Sequence, residues 1–455
     1  MDWKEKKVLV FGSGISGVAA GELLLRMGAS PVIYDSNDRL SRQDILNKFS
    51  QPKRVEVILG QFPKGLLPML SLVIMSPGVP CDLPLVEDFR VAGLPVWGEV
   101  ELAYRMGKGK VLAVTGTNGK TTTTSMLGKI LADYYPEIYV VGNIGNPYTE
   151  VADRQSDQAI TVAEISSFQL ETIDTFHPNA SAITNITEDH LNRHHTMEEY
   201  IRVKELITRN QGPEDLCVLN YEDEILREFG KDLQTQVVYF SSRRALERGI
   251  YLEDGLIKIA DGKKVETLVD VQDLQLLGAH NYENIMTAAA MAAHAGVPLG
   301  NIRRSVCAFP GVEHRIEYVT EKRGVRYYND SKGTNPDAAI KGIQAMNRPT
   351  VLIGGGFDKE STYEEWINSF EGKVKDLVLI GQTREKIAQT ALECGFPKDH
   401  IIFCEDLQEA VKVCAEKAEN GDAVLLSPAC ASWGQFDNYE QRGDRFKQYV
   451  RELPE

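Results

Sequence analysis

Residues 114–124 read VTGTNGKTTTT. An apolar strand-like run leads into the glycines and an amphipathic stretch follows them. Gly116 and Gly119 allow backbone N–H groups to turn inward on an anion. Lys120 has the reach for β- and γ-phosphates, and the Thr121 hydroxyl can sit on Mg²⁺. The spacing GxxGKT is a variant of the usual phosphate loop. Set between a strand and a helix, it predicts an ATP site made by Gly116, Thr117, Asn118, Gly119, Lys120, Thr121 and Thr122.

A magnesium ion on a threonine hydroxyl calls for carboxylates. Glu164 ends the apolar run AITVAE, where parallel sheets place ligands. The segment NITEDHLNRHH adds Asp189, His190, His194 and His195. His190 and His194 have the spacing of a helical zinc pair. The glutamate of HExxH and a third ligand are missing, so zinc is disfavoured. His194 and His195 read as surface loop residues.

A second glycine loop, VFGSGISG, occupies residues 10–17. Gly12, Gly14 and Gly17 follow a strand and precede a helix, and the next strand ends in Asp35. That is a dinucleotide-binding fingerprint in context, with Asp35 placed to accept from a ribose or uridine hydroxyl. Alone, it fits a nicotinamide dehydrogenase or a turn that only packs.

These loops need sheets to hold them. Runs such as KVLVFG, PVIYD, LVIMS, VLAVTG, IYVVG, AITVAE, TVLIGG, LVLIG and AVLLS alternate with helical patterns. The pattern predicts an α/β chain of mainly parallel sheets flanked by helices. Three domains are expected, 1–98, 99–311 and 312–455: a Rossmann-like first, a phosphate-loop ATPase-like second and a Rossmann-like third. Residues 236–275 carry Gly/Asp turns and read as short antiparallel strands. The chain has 455 residues, 43% hydrophobic and 25% charged, with a formal net charge of −15. That charge argues against a general nucleic-acid binder. No apolar run reaches membrane-spanning length. The start, MDWKEKKVLVFGSG, enters a strand at once, so no signal peptide is expected. Seven scattered cysteines without a CxxC pair suggest reduced thiols in a cytoplasmic protein and no cysteine metal site.

The segments VTGTNGKTTTT, GNIGNP, AEISSFQLE, NITEDHLNRH, YIRVKELI, GAHNYENIMTA, FPGVEHRIE, YYNDSKGTNP and LLSPACASWGQFDNYEQRGDRF resemble the Mur ligases of peptidoglycan synthesis. They run through all three blocks in order. SSFQLE, NDSKGTNP and SPACAS look like the D-glutamate-adding branch, and the DNPR-type motif of the diaminopimelate- or lysine-adding branch is not found.

The resemblance implies that the first loop holds the UDP of a UDP-sugar and the second holds ATP. The substrates would be UDP-N-acetylmuramoyl-L-alanine and D-glutamate, joined by a monomer with two Mg²⁺ ions. Ser13, Gly14, Ile15, Ser16, Asp35, Ser36, Ser76, Pro77 and Gly78 would line the uridine diphosphate site. Asn37 stands where the family has a basic side chain. Asn143, Ser166 and Gln169 would face the sugar. Thr121 and Glu164 would hold one Mg²⁺ and His190 the second. Asn281, Asn284, Arg315 and Asp330 would contact ATP, with Lys332 by the phosphates. Thr334, Lys359, Ser432 and Tyr439 would place D-glutamate. A ligase for another amino acid, a dehydrogenase and a nucleotide-gated binding protein are the alternatives.

Lys204 lies on the helix TMEEYIRVKELITRN, whose start, Thr196 and Glu199, reads as a capping box. Tyr200, Val203, Lys204 and Ile207 share a largely apolar face. From spacing alone this is a lysine that carries its head to water. The resemblance implies instead a carbamylated Lys204 that helps ligate the second Mg²⁺. The expected catalytic set is then Lys120, His190, Lys204 and Lys332.

Overall fold

The computed structural model of the chain describes residues 3–454. The apolar runs become strands because β-branched side chains fit the pleat and helices cover both faces. The first sheet contains β1 (Lys7–Phe11), β2 (Ser30–Asp35), β3 (Glu56–Leu59), β4 (Leu72–Met75) and β5 (Val96–Gly98). Its order is β3-β2-β1-β4-β5, parallel throughout. The order reverses between β1 and β4, so the loops after them open a crevice at the carboxyl ends.

The central sheet contains β6 (Lys110–Thr115), β7 (Ile138–Gly142), β8 (Ile160–Glu164), β9 (Ala180–Ile183), β10 (Leu216–Asn220), β11 (Gln236–Ser241), β12 (Arg248–Glu253), β13 (Leu256–Asp261) and β14 (Val265–Asp270). Its order is β14-β13-β12-β11-β10-β9-β6-β8-β7. One expectation is corrected here. The antiparallel run does not begin at 236, since β11 pairs parallel with both β10 and β12. Only the tight turns at Gly255 and Gly262 belong to a meander, because so few residues can reverse a strand but cannot cross it over. The third sheet contains β15 (Glu317–Lys322), β16 (Val325–Asn329), β17 (Thr350–Gly354), β18 (Val374–Leu379), β19 (Ile401–Phe403) and β20 (Ala423–Leu426). Its order is β15-β16-β20-β17-β18-β19, with one antiparallel pair, β15 with β16.

The chain packs as two compact units. The first holds residues up to Glu253 together with Lys258–Leu268 and Glu283–Ile302. The second holds Asp254–Ile257, Val269–Tyr282 and the chain from Arg303 on. Within the first unit one apolar core runs from Val8, Leu23 and Val100 to Val111, Phe176 and Tyr200. The five-stranded sheet and the phosphate-loop strand are therefore held in one fixed relation. Arg26 adds an ion pair to Asp153 at 2.7 Å. Among the described residues no helix is long and apolar enough to cross a membrane.

Glu101 is a buried fastener in this unit. Its carboxylate accepts from the N–H groups of Asp174, Thr175 and Phe176, from the Thr175 hydroxyl and from Arg105. Burial pushes its pKa up, but these bonds outweigh it and the net shift is downward. Its contribution is therefore present above the ordinary carboxylate pKa and is lost as pH falls through the depressed value. Replacing Glu101 by alanine strands several buried donors and is expected to cost on the order of 3 kcal/mol. Urea unfolding checks this, and an unshifted midpoint would remove Glu101 from the account.

Candidate active site

The crevice of the first sheet is a cleft of about 580 Å³. Ser13, Gly14, Ile15, Ser16, Asp35, Ser36, Ser76, Pro77 and Gly78, the set that the resemblance assigns to the uridine diphosphate, all line it. Asn143 and Gln169 line it too, from the central sheet's side. Ser166 does not line it. Its hydroxyl caps the helix Ser167–Leu170 and, with Gln169, closes a reciprocal capping box. The glycines do what the fingerprint demands. A Cβ on Gly17 would run into the Gly12 carbonyl, so the helix could not start this close to the strand. Asp35 accepts from the Ser13 N–H at 3.0 Å and the Ser13 hydroxyl at 2.7 Å, which fixes the loop across the crevice. Its other oxygen holds the Asn37 N–H at 3.0 Å. Among the described residues no lysine, arginine or histidine lines this cleft.

The second loop runs from β6 to the helix Lys120–Ala132. Gly119 is left-handed at φ 84°, and a Cβ there would strike the Asn284 side-chain oxygen. Asn284 also accepts from Thr123 at 3.1 Å, so the structure brings it to the loop. The loop is clamped further by Asn185, which accepts from the Asn118 N–H at 2.9 Å and donates to its carbonyl at 3.1 Å. The sequence alone does not single out Asn185 within NITEDH, because an asparagine near a strand end carries no spacing signal. Lys120 Nζ donates to the carbonyls of Gly116 at 3.0 Å and Thr117 at 2.9 Å. Thr121 and Thr122 follow it in the first helical turn.

Glu164 ends β8, directly beside Val114 of β6. Its Oε1 accepts from Asn143 Nδ2 at 2.7 Å. Its Oε2 is buried with no hydrogen-bond partner. A buried carboxylate oxygen left in this state suits a cation, and the hard donors Thr121 and Glu164 suit Mg²⁺. The Asn143–Glu164 bond joins the end of the sugar-side cleft to the edge of the phosphate loop.

Lys204 does not carry its head to water. It is 2% exposed and donates to the Gly116 carbonyl at 2.8 Å, with its ammonium 4.8 Å from the Tyr200 ring centroid. Burial first, and the neighbouring Lys120 second, bring its pKa down to about 7. Thr196 caps its helix, but the capping box is not closed. The Glu199 carboxylate turns to Arg202 instead, at 2.6 Å. His190 is left-handed at φ 54° and caps the helix Leu191–His194, its ring 4.9 Å from Phe168. His195 is exposed, as expected. His194 is a correction. It is 2% exposed, bonded to Ser167 at 2.9 Å and packed on Tyr200. Burial lowers its pKa and keeps it neutral.

The second unit gathers its own residues around β16 and the segment after β20. Lys332 lies 5.2 Å from the Tyr439 ring centroid. Asp330 is buried, accepting from Ser427 at 2.7 Å and the Ile316 N–H at 3.3 Å, and burial raises its pKa to about 7. Arg315 lies near enough to oppose that shift. A bridge between Phe357 and Ala431 brings the Lys359 loop beside Ser432, and Lys359 stacks 4.9 Å from Trp433. Thr334 donates its N–H to the Lys332 carbonyl at 2.8 Å. Asn281 donates to the Leu277 carbonyl at 2.7 Å inside this unit.

Comparison with known proteins adds family evidence to this geometry. Residues 6–98 match the Mur ligase MurD-like N-terminal domain, 114–292 the Mur ligase middle domain and 314–430 the Mur ligase glutamate ligase domain. The chain belongs to the Mur ligase family. Among Mur ligases it is 53% identical over 453 residues to the UDP-N-acetylmuramoylalanine--D-glutamate ligase of Lachnospira eligens, with all of both chains covered. It is 44% identical to the protein of that name from Clostridioides difficile, again over both full chains. Two solved Mur ligases share the fold. MurF from Acinetobacter baumannii has a TM-score of 0.59 at 18% identity, covering 98% of this chain and 93% of that one. UDP-N-acetylmuramate-alanine ligase MurC from Thermotoga maritima has a TM-score of 0.57 at 21% identity, covering 98% and 99%.

Proposed function

We propose that this chain is an ATP-dependent ligase that joins D-glutamate to UDP-N-acetylmuramoyl-L-alanine in the cytoplasm. The Asn143–Glu164 bond carries the reading. It sets the distal end of a UDP-sugar cleft lined by no cation against the edge of a phosphate loop. Full-length identity to ligases of that name supports the choice of substrates.

In this reading, with domains at 1–98, 99–311 and 312–455, the UDP lies along residues 12–17 and 76–78. The alanyl carboxylate is presented at Asn143. One of its oxygens attacks the γ-phosphorus of ATP, ADP leaves, and an acyl phosphate forms. The D-glutamate amine then attacks the acyl carbon, loses a proton and expels phosphate to leave the amide. Lys120 offsets the charge that gathers as two anions meet. Thr121 and Glu164 would hold one Mg²⁺, and His190 with carbamylated Lys204 a second. When bound, the ions supply Lewis-acid neutralisation of the transferring phosphoryl group. Asn281, Asn284, Arg315 and Asp330 are assigned to ATP, Lys332 to its phosphates, and Thr334, Lys359, Ser432 and Tyr439 to D-glutamate. Acting as a monomer, the enzyme should release ADP only with Mg²⁺, the UDP-sugar and D-glutamate together. A coupled ADP-release assay tests this. Release with neither substrate, or with L-lysine in place of D-glutamate, would overturn the assignment.

A further inference from the structure

Glu99 opens the helix Glu99–Met106 and lines the same cleft, yet it is 4% exposed. Its Oε1 accepts from Gln169 Nε2 at 2.8 Å. Its Oε2 is buried without a hydrogen-bond partner. The other end of the Gln169 amide is committed as well, because its Oε1 accepts from the Ser166 N–H at 2.8 Å and the Ser166 hydroxyl at 3.0 Å. Glu99 and Ser166 together fix which way the amide points, leaving one N–H of Gln169 for a ligand. The cleft that takes a diphosphate in the reading above has two carboxylates in its lining, Asp35 and Glu99, and no cation. Asp35 is compensated by Ser13 and Asn37. Glu99 has a single side-chain donor.

We propose that Glu99 is a positioning residue of the UDP-sugar cleft, one that holds the Gln169 amide in a single orientation and takes up a proton when the anionic ligand enters. The proposal rests on the reading of the cleft as the UDP-sugar site. Burial raises the Glu99 pKa to about 7, opposed only by the Gln169 amide and the Val100 N–H. The charges on the elements packed against its helix bond elsewhere. Arg26 pairs with Asp153, and Glu22 accepts from Ser50. Glu150 and Arg154, on the short turns beside them, make no hydrogen bond to it and do not contribute to its shift. The strands β4 and β5 and the helix Ser167–Leu170 carry no charge. A diphosphate adds negative charge nearby, which favours the neutral acid and raises the pKa further. Binding is then strongest below pH ~7 and weakens above it. The diphosphate diester and the alanyl carboxylate do not titrate in this range, and the uracil N3–H begins to only near its top, so the linkage around pH ~7 belongs to the protein.

The test is calorimetric titration of UDP-N-acetylmuramoyl-L-alanine in buffers of different ionisation enthalpy, from pH ~6 to ~9. Wild type should take up a fraction of a proton that grows above pH ~7, with affinity falling by up to about 10-fold per pH unit. Glu99→Gln keeps an acceptor for Gln169 and stays neutral, so its affinity should be flat and its proton uptake lost. Glu99→Ala should bind about 10-fold more weakly even at low pH, since the N–H end of the amide loses its acceptor. Binding without proton uptake in wild type, or with equal uptake in Glu99→Gln, overturns the inference and leaves the cleft assignment standing. The wild-type proton count decides alone if the variants do not fold. Absence of UDP-sugar binding in wild type brings down the cleft assignment and this inference with it.

Discussion

Lys120→Ala is expected to lower turnover by at least ~100-fold, the usual scale for removing a cation that stabilises a phosphoryl transition state. The fold should survive. The loop around Lys120 is held by independent bonds, Asn185 to both backbone groups of Asn118 and Thr184 to the Asn118 carbonyl. Gly119 keeps its left-handed turn whatever follows it. A lysine that merely opened a helix would cost a few tenths of a kcal/mol on removal, less than threefold in any rate. The two accounts are thus separated by more than an order of magnitude. Thermal unfolding checks the fold, and steady-state ADP release checks the turnover. A variant with near-wild-type turnover would remove Lys120 from the phosphoryl step.

Lys204→Ala should cost as much, and for a different reason. The side chain is buried, its amine is 2.8 Å from the Gly116 carbonyl, and its pKa is down to about 7 through burial and the nearby Lys120. An amine must be neutral to add CO₂, so the site favours carbamate formation as pH rises above ~7 and disfavours it below. The carbamate would replace a cation beside Lys120 with an anion, which a second Mg²⁺ would bind. Loss of at least ~100-fold in the alanine variant is expected. Formate or acetate at high concentration should restore part of it, because a free carboxylate can occupy the vacated position. Intact mass under CO₂-replete conditions should show the added carboxyl group on wild type. An unmodified amine together with an active alanine variant would return Lys204 to a packing role.

Much of this was legible in the residues. Short continuous apolar, β-branched runs marked the parallel strands, and glycines before helices marked both loops, because few other arrangements use those residues at that spacing. What escaped the sequence was decided by packing. His194 reads as a loop residue, yet its ring is drawn into the core by Ser167, Phe168 and Tyr200, which are distant in sequence or on another element. The strand β11 follows turn-rich sequence but pairs parallel, because the helix Glu224–Asp232 returns the chain to the same end of the sheet. The Glu199 side chain was free to close a box on Thr196 and went to an arginine three residues on, a competition among local partners that spacing does not settle. Glu99 gave no signal at all, since a glutamate at a helix start is ordinary. The family resemblance supplied the roles of Lys332, Thr334, Lys359, Ser432 and Tyr439, for which pattern alone offered nothing.

The central claim is that the UDP-sugar carboxylate attacks ATP and becomes an acyl phosphate as ADP leaves. Substrate labelled with oxygen-18 in the alanyl carboxylate, turned over with Mg²⁺-ATP and D-glutamate, tests it by mass spectrometry of the released phosphate. The account predicts that each phosphate carries one labelled oxygen, because the carboxylate oxygen that attacked phosphorus departs with it when the amine displaces it. Unlabelled phosphate, with the amide still formed, would mean that ATP is cleaved by water or at another centre and would contradict the mechanism.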